Sequence, residues 1–302
     1  MTLSTTSRLL TAALAGGLAW TAAGPAAASD DTQVIPANDT TPDTIVLDGT
    51  IRDFQTSHPD FETYPGTYNK VEATLGPDGV PVLDMSYYNA KLGTAQQSVY
   101  SPESFAQWYQ TIDGINLEID YPITLARDTT RPGVYWFARE KQMPAPHNYF
   151  FPIDDQGFGL TPSTSEWPLM WAAGNLHNFH FTYELSTLFT YTHPDFRDLD
   201  EDGVKGESFV DANNTGDALF FSFTGDDDVW VFINDQLVVD LGGVHAQQSA
   251  SVNVDDLADT IGLEPGRTYE LKLFFAERHT SESNFRIETS LQLSTETEPL
   301  YD

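Results

Sequence analysis

Residues 267–278 read RTYELKLFFAER and residues 284–293 read NFRIETSLQL. In the first stretch Tyr269, Leu271, Leu273 and Phe275 alternate with Thr268, Glu270 and Lys272. In the second, Phe285, Ile287, Leu291 and Leu293 alternate with Arg286, Glu288, Ser290 and Gln292. A strand sends successive side chains to opposite faces, so this period marks half-buried antiparallel strands. Just upstream, between Ala218 and Leu241, lie three apolar segments, ALFFSF, VWVFI and LVVDL. The last two are separated by Asn234-Asp235-Gln236, a polar turn that suits a hairpin, and Pro265-Gly266 marks another turn. Helical period is weak and confined to Pro102–Thr111 and Val254–Thr260. The pattern predicts an all-β protein, an antiparallel β-sandwich or barrel with few short helices. Turn signals at PGTY, GPDGVP, RPGVYW and FPIDDQGFG break up residues 62–180, which predicts long loops with embedded strands rather than a second regular domain.

The chain has 302 residues, 40% hydrophobic and 13% aromatic, too rich for disorder and long enough for a large core. Its 14 Lys+Arg stand against 45 Asp+Glu, a formal net charge of −31. Nucleic acid and anionic membrane surfaces repel such a chain; divalent cations, a high-salt habitat and neutral ligands such as sugars suit it. The absence of Cys excludes disulfides, thiolate metal sites and a Cys nucleophile.

Arg8, the apolar run Leu9–Trp20 and Ala26-Ala27-Ala28 form the three parts of a secretory signal over residues 1–28. No later stretch approaches the roughly 18 apolar residues that a membrane span needs, so the expected mature protein is secreted, extracellular or at the cell surface. Residues 29–44 read as a polar linker, 45–293 as the folded domain and 294–302 as a tail. The tail STETEPLYD carries no anchor pattern, so any attachment to a surface is expected to be non-covalent or to run through a partner.

Three features could carry chemistry. Gly225-Asp226-Asp227-Asp228 places three carboxylates between apolar strands. Either Ca²⁺, which takes six to eight oxygens, neutralises them, or they are a solvated acidic turn. Asp198-Leu199-Asp200-Glu201-Asp202-Gly203 has the spacing of the first half of an EF-hand loop, but position 12 is Phe209. It is either a Ca²⁺ loop on Asp198, Asp200 and Asp202 or a flexible acidic loop. Glu277-Arg278-His279 gathers acid, cation and base; an ion-paired network is the favoured reading over a glycosidase pair of Glu277 with Asp226 or Asp240. His177 and His180 with Glu184 lack the Glu of H-E-x-x-H, and a strand puts residues three apart on opposite faces, so structural histidines are expected. The pentapeptides SHPDF at 57–61 and THPDF at 192–196 are too few for a repeat protein.

GDDDVWVFINDQLVVDLGGVHAQQSASV followed by LEPGRTYELKLFFAERHTSESNFRIETSL resembles the fibro-slime domain, a member of the PA-fourteen (protective-antigen-type) β-sandwich superfamily. GTIRDFQTSHPDFE at 49–62 and NFHFTYELSTLFTY at 178–191 are similar to it as well, so the resemblance covers most of 45–293. It implies a secreted or surface protein that binds sugars through Ca²⁺. By that resemblance, Asp226 and Asp227, joined by a cis peptide, hold the ion; Asn284 is the match for a later ligand, and vicinal hydroxyls complete the coordination. Asp228 stands where the family pattern has Gly, and Ile233-Asn234-Asp235 falls on the hairpin tip.

The expected function is a non-enzymatic, Ca²⁺-dependent carbohydrate-binding or adhesion domain whose partners are glycans of a cell surface or matrix. Asn234, Asp235, Glu277 and His279 are the expected ligand-contacting residues. Trp230, Tyr183 and Trp171 are aromatic candidates for stacking on sugar, with Trp230 read first as core. The alternative is a structural protein of an extracellular matrix or slime layer, with Ca²⁺ only stabilising the fold; a glycosidase using Glu277 is a third reading.

Overall fold

The computed structural model describes residues 42–63, 68–138, 149–154, 156–162, 176–192 and 218–294. The expected signal segment, Trp171 and the expected Asp198–Asp202 loop lie outside the described residues. Two antiparallel sheets face each other. One has the order β1-β4-β5-β14-β9-β12, formed by β1 (Thr44–Leu47), β4 (Ile123–Arg127), β5 (Tyr135–Ala138), β14 (Asn284–Thr289), β9 (Phe220–Asp226) and β12 (Gln248–Asn253). The other has the order β11-β10-β13-β8-β2-β3, from β11 (Gln236–Leu241), β10 (Asp228–Ile233), β13 (Thr268–Glu277), β8 (Phe181–Thr190), β2 (Gly49–Phe54) and β3 (Asn116–Asp120). β15 (Leu293–Ser294) also pairs with β8, and β6 (Thr161–Pro162) with β7 (Leu176–His177) forms a separate two-stranded ribbon. The architecture is the β-sandwich that the alternation predicts.

The alternating residues do what their period requires. Leu271, Leu273 and Phe275 of β13, Phe285 and Ile287 of β14, and Val229, Val231 and Ile233 of β10 fill the core between the sheets. β10 is buried on both faces, which explains why VWVFI shows no polar alternation. Its other face, Trp230 and Phe232, joins Phe274 and Ala276 of β13 in a second core. That core is closed by Val71, Leu83, Val99, Phe105, Trp108 and Tyr109, so the long segment between β2 and β3 is a cover for the outer face of this sheet.

Among the described residues, two of the three helices sit where helical period is weakly legible: α2 (Pro102–Phe105) and α3 (Val254–Ile261). α1 (Met85–Lys91) was not legible because none of its residues is buried, leaving no apolar stripe to read. Its start is set locally, by the Asp84 side chain accepting from the backbone N–H of Ser86 and Tyr87 at 2.6 and 3.1 Å. The hairpin turn between β10 and β11 is tighter than the sequence suggested. Asn234 and Asp235 alone form it, with φ of 50° and 60°, and Gln236 already belongs to β11.

Candidate functional site

β9 ends at Asp226 in one sheet and β10 begins at Asp228 in the other, so Asp227 alone carries the chain across. The Asp226–Asp227 peptide is cis, as the family resemblance implies, even though Asp228 replaces the family's Gly. All three carboxylates are buried, at 0%, 3% and 0% exposure, so the solvated-turn alternative does not hold. A short crossover between packed sheets leaves its side chains nowhere else to go.

Asp228 is the paired one. Its Oδ1 accepts from Lys70 Nζ and Gly243 N, each at 2.5 Å, and its Oδ2 accepts from Arg278 Nε at 2.6 Å. Both cations are fully buried. Burial pushes the Asp228 carboxyl up, but Arg278 and Lys70 together hold it down at about 2. Burial brings Lys70 down to about 8 against the pull of Asp228. Arg278 Nη1 also donates to the backbone oxygens of Asp60 and Ser98 and to Thr63 Oγ1, tying the cover segment to β13. The ion-paired network read from Glu277-Arg278-His279 therefore exists, centred on Arg278 and Asp228.

Asp226, Asp227 and Glu277 have no such cations of their own. Asp227 accepts only from backbone, His245 N at 3.3 Å and Arg278 N at 3.2 Å. Burial raises it to about 8, with Arg278 opposing and the Asp228 charge reinforcing the rise. Burial, then the charge of Asp227, raises Asp226 well above the carboxylate range. Glu277 is raised by burial and by both aspartates, and its Oε2 is buried with no hydrogen-bond partner. Asn284 stands opposite Asp226 in the β14–β9 register. The chain thus brings together Asp226, Asp227, Asn284 and Glu277 at one end of the sandwich. His279 is beside them, its N–H donating to Glu277 Oε1 at 3.3 Å and its Nε2 lying 3.7 Å from Glu62.

Among the described residues no three His, Cys, Asp or Glu side chains stand ready-made as a metal-ligand group. A Ca²⁺ shell of two carboxylates, an amide and backbone carbonyls needs no such triad. The all-oxygen donors and the surplus of buried carboxyl groups over buried cations fit a hard divalent cation, which would displace their protons.

Other expected residues go elsewhere. Asn234 and Asp235 lie at the far end of β10, roughly 20 Å from the crossover at about 3.3 Å per residue. There Asn234 donates to Ile261 O at 2.7 Å, so these two do not join the carboxylate cluster. Tyr183 is fully buried with its hydroxyl donating to Tyr121 O, and Trp230 is core, which removes both as sugar platforms. His177 pairs with Asp154 and stacks on Phe151, while His180 pairs with Glu62. Asp240, considered with Glu277 as a glycosidase pair, accepts from Trp230 Nε1 and Gly242 N. Lys70, Asp60 and Gly243 were missed; a single Lys among loops carries no local signal that it will be buried 158 residues away from its partner.

Residues 214–302 match the model of the PA14 domain. The fold defines the class, an antiparallel β-sandwich, and the matched segment agrees with the PA-fourteen resemblance of residues 225–291. Within that class it is similar to protein psiQ of Dictyostelium discoideum, 38% identical over 264 residues that cover 86% of this chain and 22% of that protein. Protein psiR of the same organism is 36% identical over 264 residues, with coverage of 86% and 22%. The chain thus spans about a fifth of the length of these two relatives. Among solved structures, the PA14 domain of the MpAFP antifreeze protein aligns over 88% of this chain and 91% of its own, at 11% identity and a TM-score of 0.26. No helix among the described residues is long and apolar enough to cross a membrane.

Proposed function

We propose that this is a secreted, non-enzymatic domain that binds neutral glycans of a cell surface or matrix in a Ca²⁺-dependent manner. The observation that carries the reading is the excess of buried carboxyl groups over buried cations at the crossover. Asp226, Asp227, Asp228 and Glu277 are four buried carboxylates, and Lys70 and Arg278 are the two buried cations among them. Buried charges are ordinarily paired or bound to metal. Asp60, a fifth buried carboxylate near Arg278, deepens the deficit, although Trp108 Nε1 and Tyr100 N satisfy its oxygens.

Asp226 and Asp227 would hold the ion with Asn284 beside them. Bound Ca²⁺ supplies open coordination positions for paired hydroxyls. The net charge of −31 excludes polyanionic ligands and leaves neutral sugars as the natural class. Glu277 and His279 would stand beside the ion, as would the loop after β11, whose His245 N–H donates to Asp227.

The test is a calorimetric titration of Ca²⁺ into the chelator-treated mature protein, with Mg²⁺ and the Asp226→Asn variant alongside, followed by a glycan screen with and without chelator. Saturable Ca²⁺ binding lost in Asp226→Asn, together with chelator-sensitive glycan capture, is expected. Binding that survives in the variant would move the ion to the Asp198–Asp202 loop. Ca²⁺ binding without any glycan would favour the matrix-component reading, and turnover of a glycoside that Glu277→Gln abolishes would favour a glycosidase.

A further inference from the structure

Resting on the glycan-binding reading, the geometry points to Tyr68 as the aromatic platform that receives the sugar, a role for which the sequence nominated other rings. Three consecutive residues are pinned around the carboxylate crossover. Lys70 Nζ bonds Asp228 Oδ1 at 2.5 Å, Asn69 N–H bonds Asp240 Oδ2 at 2.8 Å, and the Tyr68 hydroxyl bonds Gln248 Oε1 at 2.6 Å. Gln248 is the cross-strand partner of Gly225, the residue directly before Asp226. The loop that leads into Gln248 is the one whose His245 N–H bonds Asp227. Tyr68 is therefore fixed at the rim of the site by elements that also touch Asp227 and Asp228.

Yet Tyr68 is 47% exposed as a residue, while Trp230 and Tyr183 are fully buried. A large ring left in water, with its polar end already latched, offers its apolar face and edge to a ligand at small entropic cost. The surroundings select the ligand's chemistry. The neighbouring carboxylates and the chain's negative charge repel anions, so the partner of this ring is a neutral hexose. Such a sugar can direct vicinal hydroxyls toward Asp226 and Asp227 and lay its C–H face on the ring. Tyr68 acts on specificity and affinity, not on cation binding.

The experiment uses the mature protein on agarose bearing galactose, glucose or mannose, in Ca²⁺ and in chelator, with Ca²⁺ calorimetry run on the same samples. Tyr68→Ala is expected to lose about tenfold in sugar affinity, the scale of one aromatic contact, with Ca²⁺ binding unchanged. Tyr68→Phe keeps the ring and should stay within about threefold of wild type, because only the latch to Gln248 is removed. Wild-type sugar affinity in Tyr68→Ala would overturn the assignment while leaving the glycan reading intact. Loss of Ca²⁺ binding in Tyr68→Ala would also overturn it, since the residue would then be structural. Capture of no sugar by the wild type would overturn both, and sugar capture untouched by Asp226→Asn would sink only the parent cation assignment.

Discussion

Asn284 donates twice to the Asp226 carboxylate, from its backbone N–H to Oδ1 and from its side-chain amide to Oδ2, both at 2.7 Å. The two residues face each other across β9 and β14, so the sheet register itself sets the clamp. Removing the amide leaves a buried carboxylate short of a donor, a loss of about 1–3 kcal/mol. Asn284→Ala should therefore unfold at lower denaturant than wild type and also bind Ca²⁺ more weakly. Asn284→Asp puts two acids directly opposite each other. Its melting temperature should fall in chelator and recover when Ca²⁺ is added, and a melting temperature indifferent to Ca²⁺ would argue against an ion at Asp226.

Lys70, Asp228 and Arg278 form a strut from the cover segment to β10 and β13, all with side chains at 0% exposure. Removing one partner of a buried ion pair strands the other, at about 3–5 kcal/mol. Lys70→Met is expected near the low end, because Arg278 still faces Asp228; Arg278→Met should cost more, since three further oxygens lose a donor. Urea denaturation of each single variant and of Lys70→Met/Asp228→Asn gives the coupling. A double variant as unstable as the sum of the singles would mean the pair is not a unit.

The cation-free protein should lose stability between about pH 4 and 8. Asp227 is raised from 3.8 to about 8, so the folded state holds a proton that the unfolded chain has released. The stability this contributes is fully present below the unfolded value and disappears as pH rises through 8. Asp226 and Glu277, raised by the same burial, act in the same direction. Asp228, held at about 2, contributes the opposite way, and its share fails only in strong acid. A cation at the crossover must displace these protons. Ca²⁺ uptake at pH 6–7 should thus release protons, seen as a calorimetric enthalpy that changes with the buffer's ionisation heat, and Ca²⁺ affinity should rise with pH up to about 8. Buffer-independent enthalpy at neutral pH would place the ion elsewhere. Asp227→Asn should flatten the decline of melting temperature with pH.

The strands that alternate were legible because half-burial writes itself into sequence. The strands Thr268–Glu277 and Asn284–Thr289 announced themselves, whereas Asp228–Ile233 showed only that it was apolar, since both its faces are covered. The Asp226-Asp227 pair was visible through family resemblance and its local acid density. Its burial was not, because that depends on which sheet each flanking strand joins, and the segment GDDDV looks the same on either side of a loop. Tyr68 and Lys70 were beyond reach for a related reason. Their partners Gln248 and Asp228 lie 180 and 158 residues away, and nothing near Tyr68 or Lys70 encodes that distance. Asn234 and Asp235 were misplaced by proximity in sequence: a six-residue strand carries them to the opposite end of the sheet.

That separation is itself testable. Asn234 and Asp235 both have positive φ, at 50° and 60°, the conformation of a two-residue type I′ turn, which favours Asn followed by Gly. Asp at the second position pays a Cβ penalty that Gly avoids, partly offset by the greater freedom Gly gives the unfolded chain. Asp235→Gly should therefore be neutral or stabilising by up to about 1 kcal/mol in denaturant titration. Asp235 is exposed and roughly 20 Å from Asp226, so Ca²⁺ affinity and sugar capture should match wild type. Gly225→Ala is the matching change at the other end. A Cβ there would collide with Asn284 O and meet the Phe223 ring at 2.7 Å, so β9 and β14 cannot keep their register. That variant should lose at least about 2 kcal/mol and its Ca²⁺ binding together. If instead Asp235→Gly impaired ligand capture while Gly225→Ala did not, the functional end of the sandwich would be the hairpin tip.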